Sequence, residues 1–108
     1  MPRQILILES AKTEFRLLKA RVKREFGESA WADANSAFKN AFQLICDNPE
    51  IGLELEELKT LGIPSFRSKL VQQTRIVYEF DDQKVVVHML IHTRRDFAAH
   101  LHQRVLNV

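Results

Sequence analysis

Apolar positions change their period three times along this chain, and each change marks a new kind of element. Gln4 to Leu8 is a short apolar run that ends at Glu9-Ser10, as a strand does where a helix begins. The Ser10 hydroxyl is placed to satisfy a free backbone N–H of the first turn, so Ser10 is the expected N-cap. From there Ala11, Phe15, Leu18, Val22 and Phe26 recur at spacings of three and four. Lys12, Arg16, Lys19 and Lys23 fall away from that face, which makes the segment an amphipathic helix. Gly27 supplies the left-handed position that closes it. Ser29 is the expected cap of a second helix whose stripe is Ala30, Ala34, Ala37, Phe38, Ala41, Leu44 and Ile45. Two helices joined by a short Gly-Glu turn pack as an antiparallel hairpin, and the alanines allow close approach. Asp47-Asn48-Pro49 ends the second helix, because proline lacks the N–H of the helical bond and forces its predecessor out of helical geometry.

A loop with Gly52, acidic residues Glu54, Glu56 and Glu57, Gly62 and Pro64 follows. The pattern then predicts extended segments at Phe66 to Val71, Thr74 to Phe80 and Lys84 to Ile91, the last two divided by the polar turn Asp81-Asp82-Gln83. Their β-branched density predicts an antiparallel meander. Arg94 to Val105 sets Phe97, Ala98, Leu101 and Val105 on one helical face, a terminal helix that would dock on the sheet. The expected class is α+β, in the order β-α-α-β-β-β-α. Strict alternation puts Arg67 and Lys69 on one face. In the last strand it puts His88, Leu90 and His92 on one face and Val87, Met89 and Ile91 on the other, the second set packing on the helices.

Composition narrows the class. A chain of 108 residues that is 45% apolar supports one core and one domain, residues 1–108, with too little Gly and Pro for long linkers. No apolar run approaches the ~20 residues of a membrane helix, and Ile5 to Leu8 is not flanked as a signal peptide is, so a cytoplasmic protein with no membrane partner is expected. The single cysteine, Cys46, lies on an apolar helix face and reads as a buried structural thiol. Net charge is +2, but it is uneven: residues 1–65 carry nine Lys/Arg against ten Asp/Glu, whereas residues 66–108 carry seven against four and hold His88, His92, His100 and His102.

That C-terminal concentration of Arg67, Lys69, Arg75, Arg94, Arg95 and the histidines is the candidate working surface. RNA cleavage through a 2′-hydroxyl needs a proton acceptor, cations for the developing phosphorane charge and an acid for the leaving oxygen, and arginine with histidine supplies these types. The same arginines serve equally well in ion pairs: Arg75 and Arg94 or Arg95 with Glu79, Asp81 or Asp96. No metal site is expected, since His88 and His92 stand roughly 13 Å apart along a strand and no cysteine completes a tetrahedral set. No cofactor is expected.

The helix hairpin, then "NPEIG", then "FRSKLVQQTRIVYEFDDQKVVVHMLIHTRRDF", resembles the RelE/ParE toxin superfamily over nearly the full chain. Four pieces carry the resemblance: the "ILESAKTEF" start, the Pro49 and Gly52 pair, the "RIVYEFDD" strand and the "IHTRRD" segment. It implies the toxin of a type II toxin–antitoxin pair that inhibits growth and forms a hetero-oligomer with a cognate antitoxin. The long helical hairpin looks more like ParE, whose members poison DNA gyrase, than like RelE, whose members cleave messenger RNA on the ribosome. The arginine that RelE-like nucleases carry on the first meander strand falls at Val71, the second at Arg95, and their tyrosine near Leu101. A nuclease of this kind would here rest on Arg67, Arg95 and His92 or His100. A binding surface would rest on Arg67, Lys69, Arg75, His92, Arg94 and Arg95, with Arg67 and Arg95 read as surface groups whose replacement by Ala abolishes toxicity and leaves stability nearly unchanged. A domain that serves only as a binding module for its antitoxin and the operator complex, without toxicity of its own, is the third reading.

Overall fold

In the computed structural model of the chain, residues 3–56 and 66–92 are described. The expected terminal helix, with Arg94, Arg95, His100 and His102, lies outside these residues. Strand β1 (Gln4–Ile7) leads into helices α1 (Glu9–Phe26) and α2 (Glu28–Asp47), a single 3-10 turn (Pro49–Ile51), and strands β2 (Leu53–Glu54), β3 (Phe66–Val71), β4 (Thr74–Phe80) and β5 (Lys84–His92). The sheet order is β1-β5-β4-β3-β2, with β1 parallel to β5 and the other neighbours antiparallel. The mixed α+β architecture and the meander agree with the periodicity.

Both helix starts differ from expectation for one reason: backbone geometry sets them, not hydroxyls. The Leu8 N–H donates to Val87 O (3.1 Å) and Leu8 O accepts from Lys12 N–H (2.9 Å), so the last strand-bonded residue is itself the cap and α1 begins before Ser10. Gly27 ends α1 and starts α2 at once. Its N–H donates to Val22 O and Lys23 O, its carbonyl accepts from Trp31 N–H, and its φ of 96° is one that side-chain-bearing residues rarely adopt. Ser29 therefore sits inside α2 and not at its cap.

The hairpin covers one face of the sheet. Ala11, Phe38, Ala41 and Ile45 pack on Val71, Ile76, Tyr78, Val85, Val87 and Leu90. Phe15 stands edge-on to both Trp31 (5.4 Å) and Phe38 (5.5 Å), locking the two helices together. The helical stripes overreach this core at Phe26 and Leu44, which are 71% and 47% exposed. Cys46 is buried, and burial, reinforced by the charge of Asp47, pushes its thiol above the ordinary value, as suits an inert group.

Strict alternation fails in β5. Val77 pairs with Met89 but Tyr78 pairs with Val87, so His88 is an extra residue opposite a single step of β4. Such a bulge shifts the phase of the strand by one. Val87 and Leu90 consequently face the helices, while Met89 and Ile91 join Leu55, Phe66 and Val77 on the opposite face. The expected grouping of His88 with His92, and of Val87 with Met89, is thereby corrected.

Candidate functional site

The bulge separates the two histidines. His88 lies 2.8 Å from Glu79 Oε1 through its Nε2 and rests against the Phe66 ring, on the face away from the helices. His92 pairs in register with Thr74, and its Nε2 lies 3.2 Å from Gln73 Oε1. On the helical side His92 borders a groove made of two adjoining recesses that share Leu18, Arg21, Thr74 and His92.

The groove exists because β1 is short. Ile7 pairs with Val87, and beyond that pair no strand among the described residues lies beside this edge of β5. The freed Leu90 N–H is taken instead by Glu14 Oε1 at 3.1 Å, a carboxylate projecting from α1. Glu14, Leu17 and Arg21 follow one another at three and four residues, so they line a single flank of α1 over this gap. Toward the hairpin tip the groove continues past Val22, Phe26 and Ala30, and the β3–β4 turn of Gln72 and Gln73 closes it from the sheet side. Its walls combine exposed apolar groups, Leu17 at 65% and Phe26 at 71%, with a few polar side chains of both charges. That mix suits recognition of a protein segment, because apolar area supplies affinity and sparse polar groups fix orientation.

Among the described candidate residues only His92 borders this groove. Arg67 is held at the opposite corner of the helical face. Its guanidinium donates to Gly52 O (2.8 Å) and Glu50 O (3.4 Å), pairs with Glu54 (3.5 Å) and lies over the Phe80 ring. Arg67 pairs with Tyr78 on β4 and His92 with Thr74, from opposite sides of that strand, so their backbones stand about 16 Å apart by strand rise and spacing. The structure does not bring the two together. Arg67 instead ties the turn after α2 to the sheet, in contrast to its expected role as a free surface group. Lys69 and Arg75 both border a recess along the β3 edge with Leu53, Leu55 and Leu70, but their register places them on opposite faces of the sheet.

Glu14, Leu17 and Arg21 do not stand out in the sequence, because the surplus of charge lies in the C-terminal half. The usable signal was Leu17, a leucine one position off the Phe15–Leu18–Val22 stripe, flanked at helical spacing by a paired acid and base. Among the described residues no three His, Cys, Asp or Glu side chains gather to hold a metal ion, and no helix is long and apolar enough to cross a membrane.

Comparison with known families gives one match: the model described as ParE toxin of type II toxin–antitoxin system, parDE, aligns with residues 5–97. Among curated proteins no relative matches the chain. The matched span runs from β1 through β5 and takes in every wall of the groove.

Proposed function

The chain belongs to the ParE toxin family, the toxin component of a type II toxin–antitoxin pair with a cognate antitoxin as partner, and from that premise we propose that it arrests growth by binding DNA gyrase through the groove beside His92. The antitoxin neutralises it by covering the same groove. The observation that carries this reading is the groove itself, where exposed Leu17 and Phe26 are set beside Arg21, Thr74 and His92 along an incomplete strand edge. A binding role also accords with the distance between Arg67 and His92, since RNA cleavage by that pair would need both at one phosphate.

Purified toxin added to a gyrase supercoiling reaction at micromolar concentration inhibits it on this reading, and Leu17→Asp with Arg21→Glu relieves the inhibition while the fold persists. Folded toxin that leaves supercoiling untouched sinks the proposal. New 5′ ends in a toeprint of a translated message would replace it with messenger-RNA cleavage, in which Arg95 or His100 would have to supply what Arg67 does not.

A further inference from the structure

The other flank of α1 carries a feature that the groove does not use. Residues 9–26 hold six Lys/Arg (Lys12, Arg16, Lys19, Arg21, Lys23, Arg24) against three Glu (Glu9, Glu14, Glu25). Four of the six, Lys12, Arg16, Lys19 and Lys23, recur at four, three and four residues, which sets them in one row along the helix. The row climbs about 16 Å, with successive cations about 4.5–6 Å apart in rise. Lys12, Arg16 and Lys19 are exposed and Lys23 partly so.

Helix α2 extends the row sideways. Phe42 borders a small recess with Lys12 and Arg16, and exposed Lys39 lies three residues before Phe42 on the same flank of the antiparallel helix. Acidic compensation is thin. Lys12 pairs with Glu9 at 3.4 Å and Lys23 with Glu28 at 3.3 Å, and both glutamates are about four-fifths exposed, so these pairs are weak and exchangeable. Arg16 bonds to the Thr13 hydroxyl and to no carboxylate among the described residues.

We propose that this ridge is a docking surface for the phosphate backbone of duplex DNA. A straight row of cations at several-ångström intervals on a convex helix matches a line of phosphates, and four of the five cations are lysines, which meet phosphate as point charges and read no base. Among the described residues only one exposed aromatic, Phe26, stands near the row, at its end, which is not the succession of rings on which single-stranded bases stack. The ridge and the groove occupy opposite flanks of α1, so a protein in the groove leaves the ridge open to DNA. The proposal holds whether or not gyrase is the target.

The experiment is fluorescence anisotropy of a labelled duplex of about 20 base pairs titrated with the purified full chain at several salt concentrations. Expected is binding in the range of roughly 10⁻⁴–10⁻⁶ M, with log affinity falling against log salt at a slope of about −3 to −4.5 for three to five phosphate contacts. Each of the single changes Lys12→Gln, Arg16→Gln, Lys19→Gln and Lys23→Gln lowers that slope by about 0.9. The triple change Lys69→Gln, Arg75→Gln, Lys84→Gln, which removes three charges from the sheet against one in each ridge change, leaves it unaltered. Three outcomes overturn the proposal: no duplex binding at 50 mM salt, slopes that respond to the sheet triple and not to the ridge, or an acidic polyglutamate that competes as well as DNA per charge.

Discussion

Tyr78 is where the sheet holds the chain leaving α2, and it offers the sharpest test of that description. Its side chain is fully buried, its hydroxyl donates to Pro49 O, and it accepts the Gly52 N–H at 3.0 Å. Tyr78→Phe deletes one oxygen and leaves both backbone groups buried. The orphaned N–H carries the larger penalty, about 2 kcal/mol, and the carbonyl about 1 kcal/mol, so the substitution destabilises by about 3 kcal/mol. Gly52 adds an independent handle. A Cβ there would lie 2.3 Å from Tyr78 Oη, 2.9 Å from Cζ and 3.0 Å from Ser68 O, although the glycine backbone itself is ordinary extended chain. Gly52→Ala is therefore a purely steric insult, and removing the Tyr78 hydroxyl takes away its worst contact. In a double-mutant cycle by urea denaturation, Gly52→Ala costs at least about 1 kcal/mol less beside Phe than beside Tyr at position 78. Burial also raises the phenol above the ordinary tyrosine value, against the opposing Gly52 bond and Arg67 charge. A raised folded value means the contribution is whole below pH ~10 and is lost as pH climbs through the folded value, and Tyr78→Phe abolishes that alkaline loss. A loss under about 1 kcal/mol for Tyr78→Phe, or simple additivity in the cycle, refutes the reasoning.

Three further outcomes follow from the same geometry. Arg67→Ala destabilises by about 1–2 kcal/mol in urea melts, because the part-buried guanidinium bond to Gly52 O is lost while the half-exposed Glu54 pair adds little; an unchanged midpoint would return Arg67 to the free surface. Gln72 holds φ at 55° in the β3–β4 turn, a region costly for L-residues, so Gln72→Gly stabilises by up to about 1 kcal/mol in thermal melts despite the added chain entropy; a fall in Tm would contradict the strain. Asp81 accepts the Gln83 and Lys84 N–H groups at 2.8 and 2.9 Å, which holds its carboxyl below the ordinary value. That contribution is present above the unfolded value and lost as pH falls through the folded one, so the acid limb of stability flattens in Asp81→Asn, and an identical limb would deny the turn its role.

How much was legible in the sequence depended on how local the cause was. Helices α1 and α2 and the meander strands announce themselves because a 3.6 or 2.0 period is imposed by the chain's own geometry. The cap at Leu8 did not, since it exists only because β1 is bonded to β5, 79 residues from Leu8 to Val87 in sequence. Strand β2 was hidden for the same reason: Leu53 and Glu54 are strand only through their pairing with Ser68 and Arg67. The bulge at His88 is the most consequential miss. Nothing in "VVVHMLI" marks an inserted residue, yet the insertion leaves His88 beside Glu79 on the face away from the helices and turns His92 to the helical side, so the two histidines expected on one face are split.

Charge misled in a way that can be stated physically. Residues 1–65 are nearly neutral because the acids at Glu50, Glu54, Glu56 and Glu57 offset the cations of α1 in the sum. In the fold Glu54 is spent on Arg67 across from the hairpin, while Lys12, Arg16, Lys19 and Lys23 run along α1, where Glu9 and Glu28 are the acids paired with this row among the described residues. Screening over about 8–10 Å at physiological salt makes local density, not the average over a half-chain, the quantity a partner meets. A charge count taken along one helical flank would have found the ridge on α1, and the same count on the opposite flank would have exposed Glu14, Leu17 and Arg21 as the wall of a groove. The two flanks of α1 thus divide the work: the mixed apolar flank presents a surface for protein, and the cationic flank one for phosphate.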